Sequence, residues 1–233
     1  MRITIYGETD MAFGPIMRIK LDELTIELAP FERDDTRAFV DPGMQQHSVV
    51  QYIDQPGTVF VFADEQEWYD KIRADKDRII WGIWAVENDT RTLIGNSAIF
   101  DMKRGHTIQG TTGIIISDKS YWGKGIASAA HKARTWYAFQ HLGLTRLKSA
   151  VIQGNDASRK ALEKVGYNFV YTERNEKFTN GKLHHMDCFE CLNPDEQAWN
   201  LWWGEDTPSE SALAARARTR EVMAWAEQNV ELL

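Results

Sequence analysis

Two stretches of this chain each run from an apolar strand, through a turn, into a helix, and they limit the fold more than any other feature. The first is Thr112-Gly113-Ile114-Ile115-Ile116-Ser117, followed by Tyr121-Trp122-Gly123-Lys124-Gly125-Ile126-Ala127-Ser128. A helix follows from Ile126 to Leu142, with apolar residues at 126, 129, 130, 133, 136 and 137, and Gly143 ends it. The second is Leu147–Ile152, then Asn155 or Asp156 as a helix cap, then a helix stopped by Gly166. Two adjacent junctions of this kind bring two helix N-termini to one ligand. The strands at 112–117 and 147–152 are expected to be parallel neighbours that splay apart.

Around this unit the pattern is that of a mixed sheet. Leu24–Leu28 alternates at period two ahead of Pro30, and Asp34 and Asp35 are placed to cap a short helix. Residues 64–74 have an acidic first turn with Trp68 and Ile72 on one side, which predicts a helix. Ile79–Val86 is a nearly unbroken apolar run, as a central strand requires, and Asn88-Asp89-Thr90 turns it back along 92–100. Late strands are expected at 169–173 and 184–192, with Asn180-Gly181 between them. The expected fold class is α/β, a mixed, mostly antiparallel, twisted sheet flanked by helices. Ile3-Thr4-Ile5-Tyr6 alternates briefly, then Gly14 and Pro15 intervene, so residues 1–20 read as an extension. Pro194 and the stretch Gly204-Glu205-Asp206-Thr207-Pro208 mark a boundary. Beyond it one helix is expected over 209–230, with apolar residues at 213, 214, 217, 222, 225 and 226. Residues 1–193 thus read as one domain and 194–233 as a helical tail. Trp199, Trp202 and Trp203 are expected to pin that tail, which packs on its own domain or forms the seam of a homodimer.

Composition narrows the function. At 233 residues and 43% hydrophobic, the chain can bury one sizeable core. A net charge of -7 argues against nucleic acid, whose backbone needs clustered Lys and Arg, and favours a cationic acceptor through steering. The only cysteines, Cys188 and Cys191, are too few for a disulfide scaffold and suit a reducing compartment. The N-terminal residues lack the apolar core of a signal peptide, and no window approaches the roughly 20 apolar residues of a membrane span. A cytoplasmic protein without a membrane partner is expected. His184, His185, Cys188 and Cys191 invite a zinc reading. A strand sends residues three apart to opposite faces, however, and no second ligand cluster exists, so no metal is expected.

The loop Gly123-Lys124-Gly125 carries the chemistry. Glycines allow close backbone approach and positive φ, and the helix behind them offers unpaired N–H groups and the positive end of its dipole. Lys124 adds a cation. Such a site attracts a diphosphate, and with it a nucleotide-like cofactor. The spacing fits neither the P-loop nor GxGxxG.

Trp122-Gly123-Lys124-Gly125-Ile126-Ala127 resembles the pyrophosphate-loop pattern [QR]-x-x-G-x-[GA] of the GNAT superfamily of N-acetyltransferases, with Trp122 in place of the usual Gln or Arg. The second junction, with Asn155, Ser158, Glu163, Lys164, Gly166 and Tyr167, is similar to the N-x-x-S…E-K-x-G-[FY] signature of the branch that acetylates ribosomal-protein N-termini. The resemblance spans about residues 24–192 and is sharpest over 111–167. It implies acetyl-CoA as acyl donor. Ile114, Ile115 and Ile116 would pair with the pantetheine amides. Trp122, Gly123, Lys124, Gly125, Ile126, Ala127 and Ser128 would hold the pyrophosphate. Asn155 would bond the pantetheine arm or the thioester region, besides capping its helix. Ser158 would protonate the leaving thiolate, unless it is a small packing residue. Lys164 would sit near the cofactor or on a solvated face. A backbone N–H of 114–116 would hold the oxyanion.

The pattern is incomplete in two places. Many relatives place a Tyr acid where this chain has Leu162, and often a Glu base where it has Thr111-Thr112. Glu173, His184, His185 or a water relay could serve as base. The acceptor implied is a primary amine, of a small molecule or a protein N-terminus. Two other readings stay open here: a non-catalytic acyl-CoA-binding sensor or assembly module on the same fold, and a structural dimer built on the tail helix.

Overall fold

The computed structural model describes residues 12–53, 58–88, 90–203 and 207–233. The alternation at 3–6, Asp89 and residues 204–206 lie outside the described residues, as does the side chain of Trp203. The strands are β1 (Met17–Lys20), β2 (Thr25–Ala29), β3 (Ile79–Glu87), β4 (Thr90–Arg104), β5 (Ile108–Ile116), β6 (Arg146–Ile152), β7 (Asn168–Thr179), β8 (Lys182–Leu192) and β9 (Val230–Leu232). They form one nine-stranded sheet in the order β7-β8-β6-β5-β4-β3-β2-β1-β9. Every neighbouring pair is antiparallel except β5 and β6.

The apolar run at 79–86 becomes β3, and it is apolar throughout because both of its faces are covered. Ile79, Trp81, Ile83 and Ala85 enter one core, while Ile80 and Trp84 enter another. On the second face lie α1 (Arg37–Phe39), α2 (His47–Val50) and α3 (Phe62–Arg73), through Phe39, Val49, Tyr69 and Ile72. On the first lie α4 (Ile126–Gln140) and α5 (Asp156–Val165). The tail supplies α6 (Glu196–Trp203) and α7 (Glu210–Asn229).

The expected α/β architecture is present, and its differences from the sequence reading have local causes. The strand expected over 112–117 starts at Ile108, where Ile108 and Gln109 pair with β4 beyond a bulge at Asp101. The two late strands form one long hairpin over 168–192, joined by Asn180 and Gly181 at φ 53° and 72°. Its alternation fails at Arg174-Asn175-Glu176 because β7 bulges there, with Asn175 at φ 59°. The segment holding Trp199 and Trp202 is the helix α6, which the sequence reading left unassigned.

The tail helix packs on its own chain. Val222, Met223 and Ala226 of α7 join the main core, each large side chain contributing about 1.5–3 kcal/mol by burial. Arg218 Nε donates to the Glu163 carbonyl at 3.0 Å, at the end of α5. Trp199 packs with Leu192 and Ala212 under the Arg216 guanidinium, 4.6 Å from its ring centre. Val230, where the helix was expected to end, already leaves it, and residues 230–232 pair with β1, so the tail completes the sheet.

Gly166 caps α5 at φ 101°, and a Cβ there would strike Thr219 Oγ1 and stand 2.8 Å from the Ala215 carbonyl of α7. Gly166→Ala is therefore expected to destabilise the protein by roughly 2–4 kcal/mol, through strain at positive φ plus the clash. Denaturant unfolding reads this as a lower midpoint; an unchanged midpoint would mean α7 docks elsewhere.

Candidate active site

The parallel ladder between β5 and β6 is three residues long: Gln109 with Arg146, Gly110 with Leu147, and Thr111 with Lys148. Beyond it β5 keeps pairing with β4 as far as Ile116, and β6 with β8 as far as Ile152, but not with each other. The sheet opens there into a wedge. Side chains close its apex. Thr112 Oγ1 donates to the Lys148 carbonyl at 3.1 Å, and Ser149 Oγ donates to the Thr112 carbonyl at 3.2 Å. The buried Tyr167 hydroxyl lies 3.1 Å from Thr112 Oγ1.

At the open end, β5 stops because Ser117 turns onto the bulged residue Ile94, donating from both N and Oγ to its carbonyl, at 2.9 and 3.0 Å. Asp118 then accepts from Ser120 N at 2.9 Å and starts a single 3-10 turn. Tyr121 anchors that turn by donating to Glu87 at 2.9 Å; burial and the Glu87 carboxylate push its hydroxyl up to about 12. Gly123 and Gly125 follow, both at φ 79°, with nothing within 4 Å of where a Cβ would stand. Gly125 is the N-cap of α4 and brings no side chain to its first-turn N–H groups. The result is a concave, positively polarised helix end beside the mouth of the wedge.

These features bring most of the sequence-derived residues together. Ile114, Ile115 and Ile116 form the end of β5 that has no β6 partner, with the backbone groups of Ile114 and Ile116 turned to the open edge and those of Ile115 to β4. Gly123, Lys124, Gly125, Ile126, Ala127 and Ser128 form the loop and the first turn of α4. Lys124 Nζ lies 4.8 Å from the centre of the Tyr121 ring. Trp122 has a more local task, donating its indole N–H to the Ile116 carbonyl at 2.9 Å, so it ties the loop to the strand end.

On the β6 side, Asn155 caps α5 by accepting from Ser158 N at 3.2 Å. Ser158 is half-buried, and its hydroxyl bonds no described residue. Lys164 is exposed in the last turn of α5. It acts on Lys132 of α4, whose pKa is lowered by burial first and by Lys164 second. Lys164 is thus at the opposite end of α5 from Asn155.

A cavity of about 150 Å³ lies at the end of β6, lined by Gln153, Gly154, Asn155, Asp156, Arg159 and Asp187 among others. Buried Asp187 anchors it, accepting from Thr172 Oγ1 at 2.8 Å, Arg159 at 3.0 Å and Gln153 at 3.1 Å. The sequence reading missed this cluster because its members come from four separate elements. It also missed Arg134, though a charge inside the apolar stripe of α4 was a readable signal.

The opposite side of the mouth is bridged by the β7–β8 hairpin. At its tip Asn180 donates to Gln51 at 3.2 Å and meets His47 Nε2 at 2.7 Å. The base candidates all stand at this open end. Glu173 pairs with Met186, which lies opposite Ile152, the last residue of β6, and His184 is two residues further out. The His185 carbonyl accepts from Gln153 N at 2.9 Å. The two cysteines are separated. Cys191 is buried against Thr219, its thiol pushed up to about 12 by burial, and Cys188 is on the other face of β8. No described helix is long and apolar enough to cross a membrane.

A mixed sheet that opens beside an uncapped helix N-terminus, with an amide-bearing edge leading into it, is the architecture of an acyl-CoA-dependent acyltransferase. The family model for the acetyltransferase (GNAT) domain matches residues 25–168, and the chain belongs to that family. It is 30% identical over 131 residues to YjcK of Bacillus subtilis strain 168, which bears an N-acetyltransferase name; the match covers 56% of this chain and 70% of YjcK. Its fold is similar to that of Mycobacterium smegmatis RimJ in complex with CoA-disulfide, at a TM-score of 0.66 and 17% identity, covering 94% of this chain and 97% of that one. It is also similar to spermidine N-acetyltransferase from Vibrio cholerae in complex with CoA and spermine, at a TM-score of 0.62 and 22% identity, covering 73% and 95%. The protein is an acyl-CoA-dependent N-acetyltransferase, and acetyl-CoA is the donor that its family uses.

An aspartate at position 125 would set a carboxylate against any bound phosphate and force a side chain into positive φ. Gly125→Asp is expected to weaken acetyl-CoA binding by at least about tenfold, or 1.4 kcal/mol, by calorimetric titration. Unchanged affinity in the folded variant would contradict the loop assignment.

Proposed function

We propose that the chain transfers acetyl from acetyl-CoA to a primary amine, with the donor lying in the wedge between β5 and β6. The observation that carries this reading is the early end of the β5–β6 ladder directly beside the uncapped N-terminus of α4. The donor supplies a thioester carbonyl and a thiol leaving group. The loop and first turn at 123–128 hold its diphosphate through backbone N–H groups and Lys124, while the Trp122 backbone N–H donates to the Lys119 carbonyl. The edge at 114–116 pairs with the amides of its arm and offers an N–H to the oxyanion. Asn155 steadies the arm at the other wall. The amine nitrogen bonds to the carbonyl carbon, the carbon–sulfur bond breaks, and the electron pair stays on sulfur. Ser158 then relays a proton to the sulfur, giving up its own and taking one back from water. The proton lost by nitrogen leaves through water, because Glu173, His184 and His185 stand at the mouth and not at the apex.

Residues 1–193 carry this transferase unit in our reading, and 194–233 buttress it. The acceptor is a small-molecule amine or a protein N-terminus. The net charge of -7 supports a cationic one, and the bridge from Asn180 to His47 and Gln51 supports one slender enough to enter beside it.

A screen of polyamines and peptides with free N-termini, read by release of CoA thiol, tests the activity. Turnover with any amine is expected, and its absence across both classes would contradict the proposal. Ser158→Ala is expected to lower kcat by roughly tenfold. That is below the usual range for a general acid, because a thiol leaving group of pKa near 8.5 demands little help. An unchanged kcat would remove Ser158 from the role of acid.

A further inference from the structure

Arg134 is fully buried in α4, and no described carboxylate pairs with it. A lone charge in a protein interior is costly, so a fold that keeps one has fixed it with other groups. Its Nη1 donates to the Gly113 carbonyl at 2.7 Å and to Ser97 Oγ of β4 at 3.0 Å. Its Nη2 meets His131 Nδ1 at 2.6 Å. Burial, and then the Arg134 charge, hold the His131 pKa well down, so that imidazole is neutral and accepts the bond. The remaining titratable groups that act on the guanidinium are Tyr167, just after α5, and Cys191 of β8, both buried and neutral. Burial pushes both of their pKa values up. An arginine keeps its proton even here. A fixed, uncompensated positive charge therefore sits under β5.

Its place relative to the wedge is well defined. Gly113 is two residues past Thr111, where the β5–β6 ladder ends, and Arg134 takes its carbonyl. β5 runs from this apex through 114–116 to the loop at 123–125. If the diphosphate is held at the loop and the arm lies along 114–116, the reacting thioester comes nearest the apex.

We infer that Arg134 is a positioning residue for acetyl transfer: held by Ser97, His131 and the Gly113 carbonyl, its guanidinium keeps a positive charge beneath the end of the wedge where the thiolate leaves. The inference rests on the donor-site reading above. The charge does not touch the donor. It acts through the short span of low-dielectric protein at Gly113, where electrostatic effects are larger than in water. It favours the state in which sulfur carries the electron pair, and so lowers the need for a strong acid, which fits Leu162 at the position where many relatives carry Tyr.

The test begins with the unaltered full-length protein and CoA as probe. Thiolate absorbance followed against pH should show bound CoA titrating at least about one pH unit below free CoA, a tenfold preference for the thiolate. A bound thiol that titrates with or above free CoA would overturn the inference, whatever any variant does. Saturable CoA binding must be seen first, and its absence would instead overturn the donor-site reading. The second arm compares Arg134→Met and Arg134→Lys, each checked for cooperative unfolding. The methionine variant should lose roughly tenfold or more in kcat, with the KM for acetyl-CoA moved far less, and its bound CoA should titrate like free CoA. The lysine variant should recover most of both losses. A folded methionine variant with unchanged kcat and unchanged thiol titration would overturn the assignment. So would a variant that raised KM alone, the mark of a merely structural role.

Discussion

The site depends on what happens to backbone groups where two parallel strands stop pairing. After Thr111 and Lys148, the inner edges of β5 and β6 lose each other as partners, and unpartnered buried amides and carbonyls are costly. The protein answers with side chains. Thr112 and Ser149 each donate to a carbonyl of the facing strand, and Trp122 takes Ile116. Each such bond contributes about 1 kcal/mol net, and together they hold a wedge open in a sheet that would otherwise zip. The amides along 114–116 and the helix end at Gly125 remain available to a ligand that has amides of its own and a diphosphate.

The rest of the fold keeps that wedge rigid. β4 bulges at Ile94, whose carbonyl takes the turn at Ser117, so a defect in one strand ends its neighbour where the loop must begin. On the face of α4 and α5, the tail helix α7 locks the end of α5 through Gly166, Thr219 and Arg218. On the other face, α2 and the β7–β8 hairpin meet at Asn180. In the proposed reading, donor and acceptor reach the apex from opposite sides of one sheet.

The parts of this arrangement written in local sequence were legible. The caps at Gly125, Asn155 and Gly166 mark the two helices beside the wedge, although α4 ends at Gln140, ahead of the expected Leu142 and Gly143, and continuous apolar runs mark β3 and β5. Residues whose meaning depends on distant partners were not. Asp187 is one carboxylate in a polar strand until Gln153, Arg159 and Thr172 converge on it. The switch from helix to strand at Val230 carries no glycine or proline, so only pairing with β1 reveals it. Arg134 broke an apolar stripe in plain view, yet the role proposed for it needed the position of Gly113. The side proposed for the acceptor was least legible of all. Its walls come from α2 and a hairpin 133 residues away in sequence, which meet only in the folded protein.

A crystal structure of the protein with CoA tests the central claim most directly. The account predicts the arm between the 114–116 edge of β5 and the inner edge of β6, its sulfur toward Gly113 and its diphosphate on the N–H groups of 123–128. CoA bound anywhere else, or β5 and β6 paired along their whole length around an empty loop, would contradict it.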